Sequence, residues 1–433
     1  MRISSKVSKD IIAKCGVGVR SECGKLDIVL MHRPGEELLR LTESNLQDLL
    51  FDAIPDINAT HQSHDIFSQY LRDQGAHVLY VKELLRETLD YSDQACQTLI
   101  NGIISNCFWK NDCPPKFLEA FQEWLLTREP DQLVEDVITG VAYSQDELGF
   151  SSVAQSLINI GNFKNEFIIP PLPNLLFTRD AFSIIEQNVF IWQMAKPARR
   201  NEPLIVRVIF QYHPQLSTSG LNIVEWQTTD IDRKLATIEG GDVAYLGDGV
   251  LLIGSGERSN RLGIEGLART GVFKRVIAVT LPPQRDYMHL DTVLSSVGRH
   301  AFTLHGPLAN IMEVFTVETH DDNNNLNPKP EWASHGCDIR EALQTLLNDN
   351  DLKFYDAEDK ETSIDEQRDC RHNVLVIDDC HVMAYAGGDL EKGVVARMTR
   401  NNVCQVGLIP TKGLLEGGGG AHCMTNAICR RAK

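Results

Sequence analysis

A repeated rhythm constrains this chain more than any single motif does. Residues 181–185 and 189–192 are apolar runs on either side of Glu186-Gln-Asn188. The pattern returns at 243–246 and 250–253, at 292–296 and 301–304, and at 373–377 and 382–385. Two strand-length apolar runs around a polar turn read as a β-hairpin. Most of these hairpins lead into an amphipathic helical stretch and a further apolar run, such as 275–279. The N-terminal segment behaves similarly: 27–31 is a short apolar run, 45–50 and 64–74 carry helical spacing, and 77–81 returns as a strand. About five hairpin-plus-helix units predict an α/β chain of propeller-like or arrayed architecture, with equivalent ends of the units facing one axis.

Residues 82–159 break the rhythm. Leu84, Leu85, Leu99, Phe121, Leu125, Leu133 and Val137 recur at helical spacing, which predicts an inserted helical bundle. The expected division is therefore 1–81 and 160–433 for the repeated α/β part and 82–159 for the insertion, within the usual domain size. The polar stretches 319–329 and 357–369 read as surface loops.

Composition narrows the function classes. Lysine and arginine number 42 against 59 acidic residues, a formal charge of −17, which disfavours nucleic acid or an anionic membrane as partner. No stretch approaches the ~20 apolar residues of a membrane span, and charges at Arg2, Lys6, Lys9 and Asp10 interrupt what would be a signal peptide's apolar run. The 11 cysteines form no C-x-x-C pair, so reduced thiols in the cytoplasm are expected.

The polar residues that could do chemistry fall just ahead of the hairpins. Asp180 precedes the first, Glu239-Gly-Gly-Asp242 the second, and His289-Leu-Asp291 leads into the third. If the units are equivalent, these groups enter from one end and converge. Buried acids that meet need a cation, a metal or a shared proton. His289 and Asp291, two apart in a strand-like stretch, would share a face. No spacing here matches a known metal loop, so no metal is assigned. Near the end, Gly417-Gly-Gly-Gly420 runs into Ala421-His-Cys423. No Lys-Ser or Lys-Thr follows, so the phosphate-loop reading fails. A flexible tail is the plain alternative to a cysteine nucleophile on a glycine-rich turn, whose thiol needs nearby positive charge or N–H donors to ionise at neutral pH.

In series, Phe177-Thr-Arg-Asp180, Glu239-Gly-Gly-Asp242, Gly254-Ser-Gly-Glu-Arg-Ser259, Met288-His-Leu-Asp291 and Gly-rich His422-Cys423 resemble the arginine deiminase family of guanidino-modifying penteins. Leu41-Thr-Glu-Ser-Asn45, Leu49-Leu-Phe-Asp52, Leu172-Pro-Asn174 and Met194-Ala-Lys-Pro-Ala-Arg199 extend the likeness over nearly the whole chain. The resemblance implies a five-module pseudo-symmetric α/β-propeller with a helical insertion, acting on L-arginine without a cofactor, in the cytoplasm, as a homo-oligomer (dimer or tetramer). It also implies roles. Cys423 would be the nucleophile and His289 the acid and base. Asp180 and Asp291 would grip the guanidinium, and Glu239 would hold His289. Arg199 and Arg258 would take the substrate carboxylate, with Asn174, Phe177 and Leu41 lining the pocket.

Three positions depart from the family. Gly418 stands where relatives often carry an arginine or another bulky residue, Thr425-Asn-Ala427 replaces a segment with proline, and Ala384-Tyr-Ala-Gly-Gly-Asp389 replaces Tyr-Asp-Arg-Asn. Other guanidino-modifying activities (agmatine deiminase, methylarginine hydrolase, amidinotransferase) and a binding protein without turnover are the alternatives. A cysteine peptidase is disfavoured, because the histidine and asparagine it needs have no matching context.

Overall fold

The computed structural model describes residues 11–107, 115–142, 167–227, 235–319, 330–400 and 404–431. Five of its six sheets repeat one pairing rule. In the second, Phe182–Ile185 runs antiparallel to Asn188–Ile191, which runs parallel to Asn222–Val224. In the third, Val243–Gly247, Val250–Ser255 and Arg275–Thr280 do the same, with Val314–Glu318 and Glu331–Ser334 added antiparallel at the far edge. The fourth uses Ser296–Gly298, Ala301–Thr303 and Lys353–Tyr355, and the fifth Leu375–Asp378, His381–Tyr385 and Gln405–Ile409.

The first sheet is assembled from distant parts of the chain. Lys25–Met31 lies antiparallel to Asn426–Arg431 and parallel to His77–Tyr80, while Gly18–Val19 flanks Asn426–Arg431 on the other side. Inner strands here are covered on both faces, so they read as continuous apolar runs rather than alternating ones. Ile28, Val29 and Ile428 are all fully buried. Each parallel step needs a crossover, supplied in the first sheet by Ile57–Asp73. Asp56 caps that helix through the N–H groups of Asn58 and Ala59.

Helices Val81–Tyr91 and Asp93–Asn106 pack with Asn201–Tyr212, while Pro115–Leu126 packs on Asp93–Asn106 and Pro130–Thr139 on Val81–Tyr91. Residues 108–114 and 143–159 of the expected insertion lie outside the described residues, as does most of the polar stretch 319–329. The largest apolar cluster runs from the first sheet through these helices and takes in Ala421, Cys423 and Met424. Among the described residues no helix is long and apolar enough to cross a membrane, and the ten described cysteines are free.

Three local expectations change. Residues 45–50 form successive turns instead of a helix, because Leu50 takes a left-handed φ of 64° and Phe51 N–H turns back to the Leu46 carbonyl. Residues 290–292 form a tight 3-10 turn, and the strand begins only at Ser296. Within 357–369, read as a loop, lies helix Lys360–Arg368, capped by Asp359. Its buried face is polar: Glu366 accepts from Val394 N–H at 2.5 Å and Asp389 N–H at 3.1 Å. An apolar periodicity could not reveal it. Ile428 sits in the strand that immediately follows Cys423, so Ile428→Ala is expected to lower the unfolding free energy by about 2–5 kcal/mol in urea titrations.

Candidate active site

Four sheets deliver residues to one place from the same end of their hairpins. Asp180 stands just before strand Phe182–Ile185, and Glu239 before the turn Gly240–Asp242 that starts the third sheet. His289 and Asp291 bracket the turn ahead of the fourth sheet, and Cys423 precedes Asn426–Arg431 of the first. The turns are stitched to one another. Gly240 N–H donates to the Asp180 carbonyl and Gly241 N–H to its Oδ1, both at 3.0 Å. Leu290 N–H donates to Asp242 Oδ1 at 2.9 Å, and Arg179 N–H to the Cys423 carbonyl at 3.1 Å. A Cβ on Gly240 would lie 2.0 Å from the Arg179 carbonyl oxygen, so the pair of glycines is what lets the second and third turns touch.

The assembled groups are all buried. His289 Nε2 donates to Glu239 Oε2 at 2.8 Å, and its Nδ1 stands 3.7 Å from Asp180 Oδ1. Arg258 Nη1 donates to the same Glu239 oxygen at 2.9 Å. Arg199 Nη1 donates to Asp180 Oδ2 at 2.5 Å, while its Nη2 donates to Glu202 Oε2 at 2.6 Å. On the other side, Asp291 Oδ2 accepts from His422 Nδ1 at 2.7 Å and lies 3.5 Å from Cys423 Sγ. Asp291 Oδ1 is buried with no hydrogen-bond partner. His422 Nε2 meets Glu22 Oε1 at 2.7 Å, and Arg179 Nη2 reaches that oxygen at 2.7 Å too.

These contacts set the proton affinities. Burial alone would discharge His289, but Asp180, the bond to Glu239 and Asp242 outweigh it and raise its pKa to about 9. Burial lifts Asp242 to about 7 against the pull of His289. Burial also pushes against Glu239, but Arg258, His289 and Arg199 hold it well below the ordinary carboxylate range. The Cys423 thiol is driven well above its usual value by burial, then by Asp291 and Asp180. A thiolate there requires a cation.

One ligand atom from each of Asp180, Glu239 and His289 lies within 4.8 Å of the others, a spacing that suits a divalent ion. Both carboxylates already face arginines and His289 Nε2 is committed to Glu239, so the charge that such an ion would neutralise is met by side chains.

A narrow cleft reaches Cys423 between Asn174, Phe177, Arg199, Arg258, Met288 and Gly417–Gly419. The glycine run is shaped by its neighbours: a Cβ on Gly417 or Gly419 would lie 2.7 Å or 2.4 Å from the Phe177 ring. Gly418 takes a left-handed φ of 75°, which favours glycine, and a Cβ there would meet Asp52, Met288 and Arg285 at ordinary contact distances of 3.5–4.0 Å. Of the residues expected here, Cys423, His289, Asp180, Arg199, Arg258, Asn174 and Phe177 line the cleft, with Glu239 bonded to His289 and Asp291 beside the sulfur. Leu41 packs with Leu38, Leu49 and Phe51, and Leu50 stands on the wall. The arginines expected at the carboxylate end of a ligand are bound instead to Asp180, Glu202 and Glu239. Sequence pattern does not single out Glu202, His422, Glu22 or Asn373. Two carried a signal: Glu202 is three residues from Arg199, one helical turn on, and Asn373 opens the fourth hairpin as Asp180 opens the first.

The mixed α/β fold whose sheet ends hold this site is shared with solved structures of the pentein fold. SxtG, an amidinotransferase from Microseira wollei in the saxitoxin biosynthetic pathway, matches with a TM-score of 0.52 at 12% identity, covering 97% of this chain and 98% of that one. The product-bound N-terminal domain of ArgZ, a cyanobacterial arginine dihydrolase, also gives 0.52 at 12% identity, over 94% of this chain and 98% of that one. Sequence relationship is more specific. The family profile for arginine deiminase matches residues 47–430. The arginine deiminase of Rhodococcus erythropolis is 32% identical over 420 residues, 96% of this chain and 97% of that protein. That of Clostridium perfringens is 30% identical over 423 residues, 96% and 98% of the two chains. The chain belongs to the arginine deiminase family.

Because His289 binds its proton more tightly when folded, its contribution to stability is complete below pH 6.5 and is lost as pH rises through about 9. The gap in thermal midpoint between wild type and His289→Asn should therefore narrow across that window.

Proposed function

We propose that this protein hydrolyses free L-arginine to L-citrulline and ammonia through an amidino thioether on Cys423. The observation that carries the reading is a guanidinium already seated in the cluster: Arg199 rests on Asp180 at 2.5 Å, while Asp291, whose Oδ2 lies 3.5 Å from Sγ, has a buried Oδ1 with no partner. Two acids that flank a sulfur and accept planar N–H groups suit an incoming guanidinium. That cation would supply the charge the thiol needs to ionise.

In this reading Arg199 gives up Asp180 to the substrate and turns, with Arg258, to the α-carboxylate. As the substrate enters, the thiol proton passes to solvent and the thiolate adds to the guanidinium carbon. His289, protonated at neutral pH, gives its proton to the departing nitrogen, and ammonia leaves. The imidazole then takes a proton from water, whose oxygen attacks the amidino carbon. The C–S bond breaks, the proton of the new hydroxyl passes to the sulfur to restore the thiol, and citrulline is freed. No cofactor enters this sequence. Agmatine has no carboxylate to draw Arg199 off Asp180, which favours arginine.

The five like sheets, four of which deliver the assigned residues to the site, support a five-module pseudo-symmetric α/β-propeller, with 82–159 as a helical insertion. The free thiols suit a cytoplasmic setting. Product analysis with L-arginine, agmatine and a methylarginine, with and without glycine as amidino acceptor, should give citrulline and ammonia from L-arginine alone; an amidinated glycine or preferred turnover of agmatine would overturn the reading. Cys423→Ser should abolish citrulline release, and His289→Ala should lower kcat by about 10²–10⁴-fold.

A further inference from the structure

We infer that Asn373 is a further catalytic residue, the donor that holds and aims the Cys423 sulfur. It is fully buried at the head of the fifth sheet, the one of the five like sheets that gives the site none of the residues assigned above. Its Oδ1 accepts the backbone N–H of His422 at 3.0 Å and of Cys423 at 3.1 Å. Its Nδ2 donates to the Asp291 carbonyl and to Cys423 Sγ, both at 3.1 Å. An asparagine amide has two acceptor lone pairs and two N–H donors, and all four are used. The orientation of the amide is therefore forced. Two backbone N–H groups converge on one terminal atom, which must be oxygen, so the atom facing sulfur must be the donor.

That donor matters because every other large influence on the thiol keeps it protonated: burial, Asp291 and Asp180. A neutral N–H stabilises the thiolate without competing with a cationic substrate for the two carboxylates, as a lysine there would. The last glycine of the run belongs to the same device. A Cβ on Gly420 would lie 2.7 Å from both Cβ and Oδ1 of Asn373, so only glycine leaves the amide in place.

The residue's part in turnover rests on the arginine reading, but its hold on the sulfur does not, and the test separates them. The pH dependence of iodoacetamide alkylation at Cys423 is measured without substrate, beside thermal midpoints and arginine kinetics. Asn373→Asp keeps the two acceptor contacts and turns an anionic oxygen towards sulfur. It should raise the alkylation midpoint by more than about one pH unit and lower kcat by about 100-fold with little change in KM. Gly420→Ala should shift alkylation in the same direction by displacing the amide. An alkylation profile and kcat equal to wild type in folded Asn373→Asp would overturn the proposal. If that variant does not fold, an unshifted Gly420→Ala does so. A shifted midpoint in a protein that leaves arginine untouched would sustain the hold on sulfur and refute the deiminase reading instead.

Discussion

Everything at this site depends on burying acids without leaving them unanswered. An unpaired carboxylate in a protein interior costs several kcal/mol, and here Asp180, Glu239 and Asp291 are all out of water around one cleft. Arg199, Arg258, His289 and His422 answer them one by one. Under the proposed reading this compensation is exchangeable: a planar cation from outside would replace the one on Asp180 if the displaced arginine found another anion, and the two ends of a ligand would then be read together.

The fold's contribution is to place turns, because a turn at the start of a hairpin is where a side chain can leave a sheet and face the centre. Four of the five like sheets are a hairpin with a parallel third strand, and the first makes the same pairing from strands far apart in the chain. What differs is the short segment ahead of the first strand, and those segments are joined by backbone bonds such as Gly240 N–H to the Asp180 carbonyl. Displacing one turn therefore displaces its neighbour. That is why Gly240, Gly241 and the run from Gly417 carry no side chain in a region otherwise densely packed.

Much of this is legible in the sequence. The hairpin rhythm located four sheets, and the position of Asp180, Glu239 and His289 ahead of them marked the convergence. What stayed hidden has physical causes. The helix at Lys360–Arg368 buries Glu366 and Gln367 instead of apolar groups, so hydropathy could not find it. The engagement of Arg199 with Asp180 and Glu202 depends on which way a long side chain folds, and spacing does not encode that. Asn373 obeys the same positional rule as the acids but bears no charge, and a search for charged groups passes over it.

The first sheet pairs Lys25–Met31 with Asn426–Arg431, strands some four hundred positions apart in sequence. Closing so long a loop is entropically slow relative to local helix formation. The sulfur is carried by the segment that enters that sheet, so its alignment with the imidazole belongs to the final stage of folding. During refolding from denaturant, recovery of turnover should lag behind recovery of the far-ultraviolet helical signal; simultaneous recovery would mean that the two strands meet early.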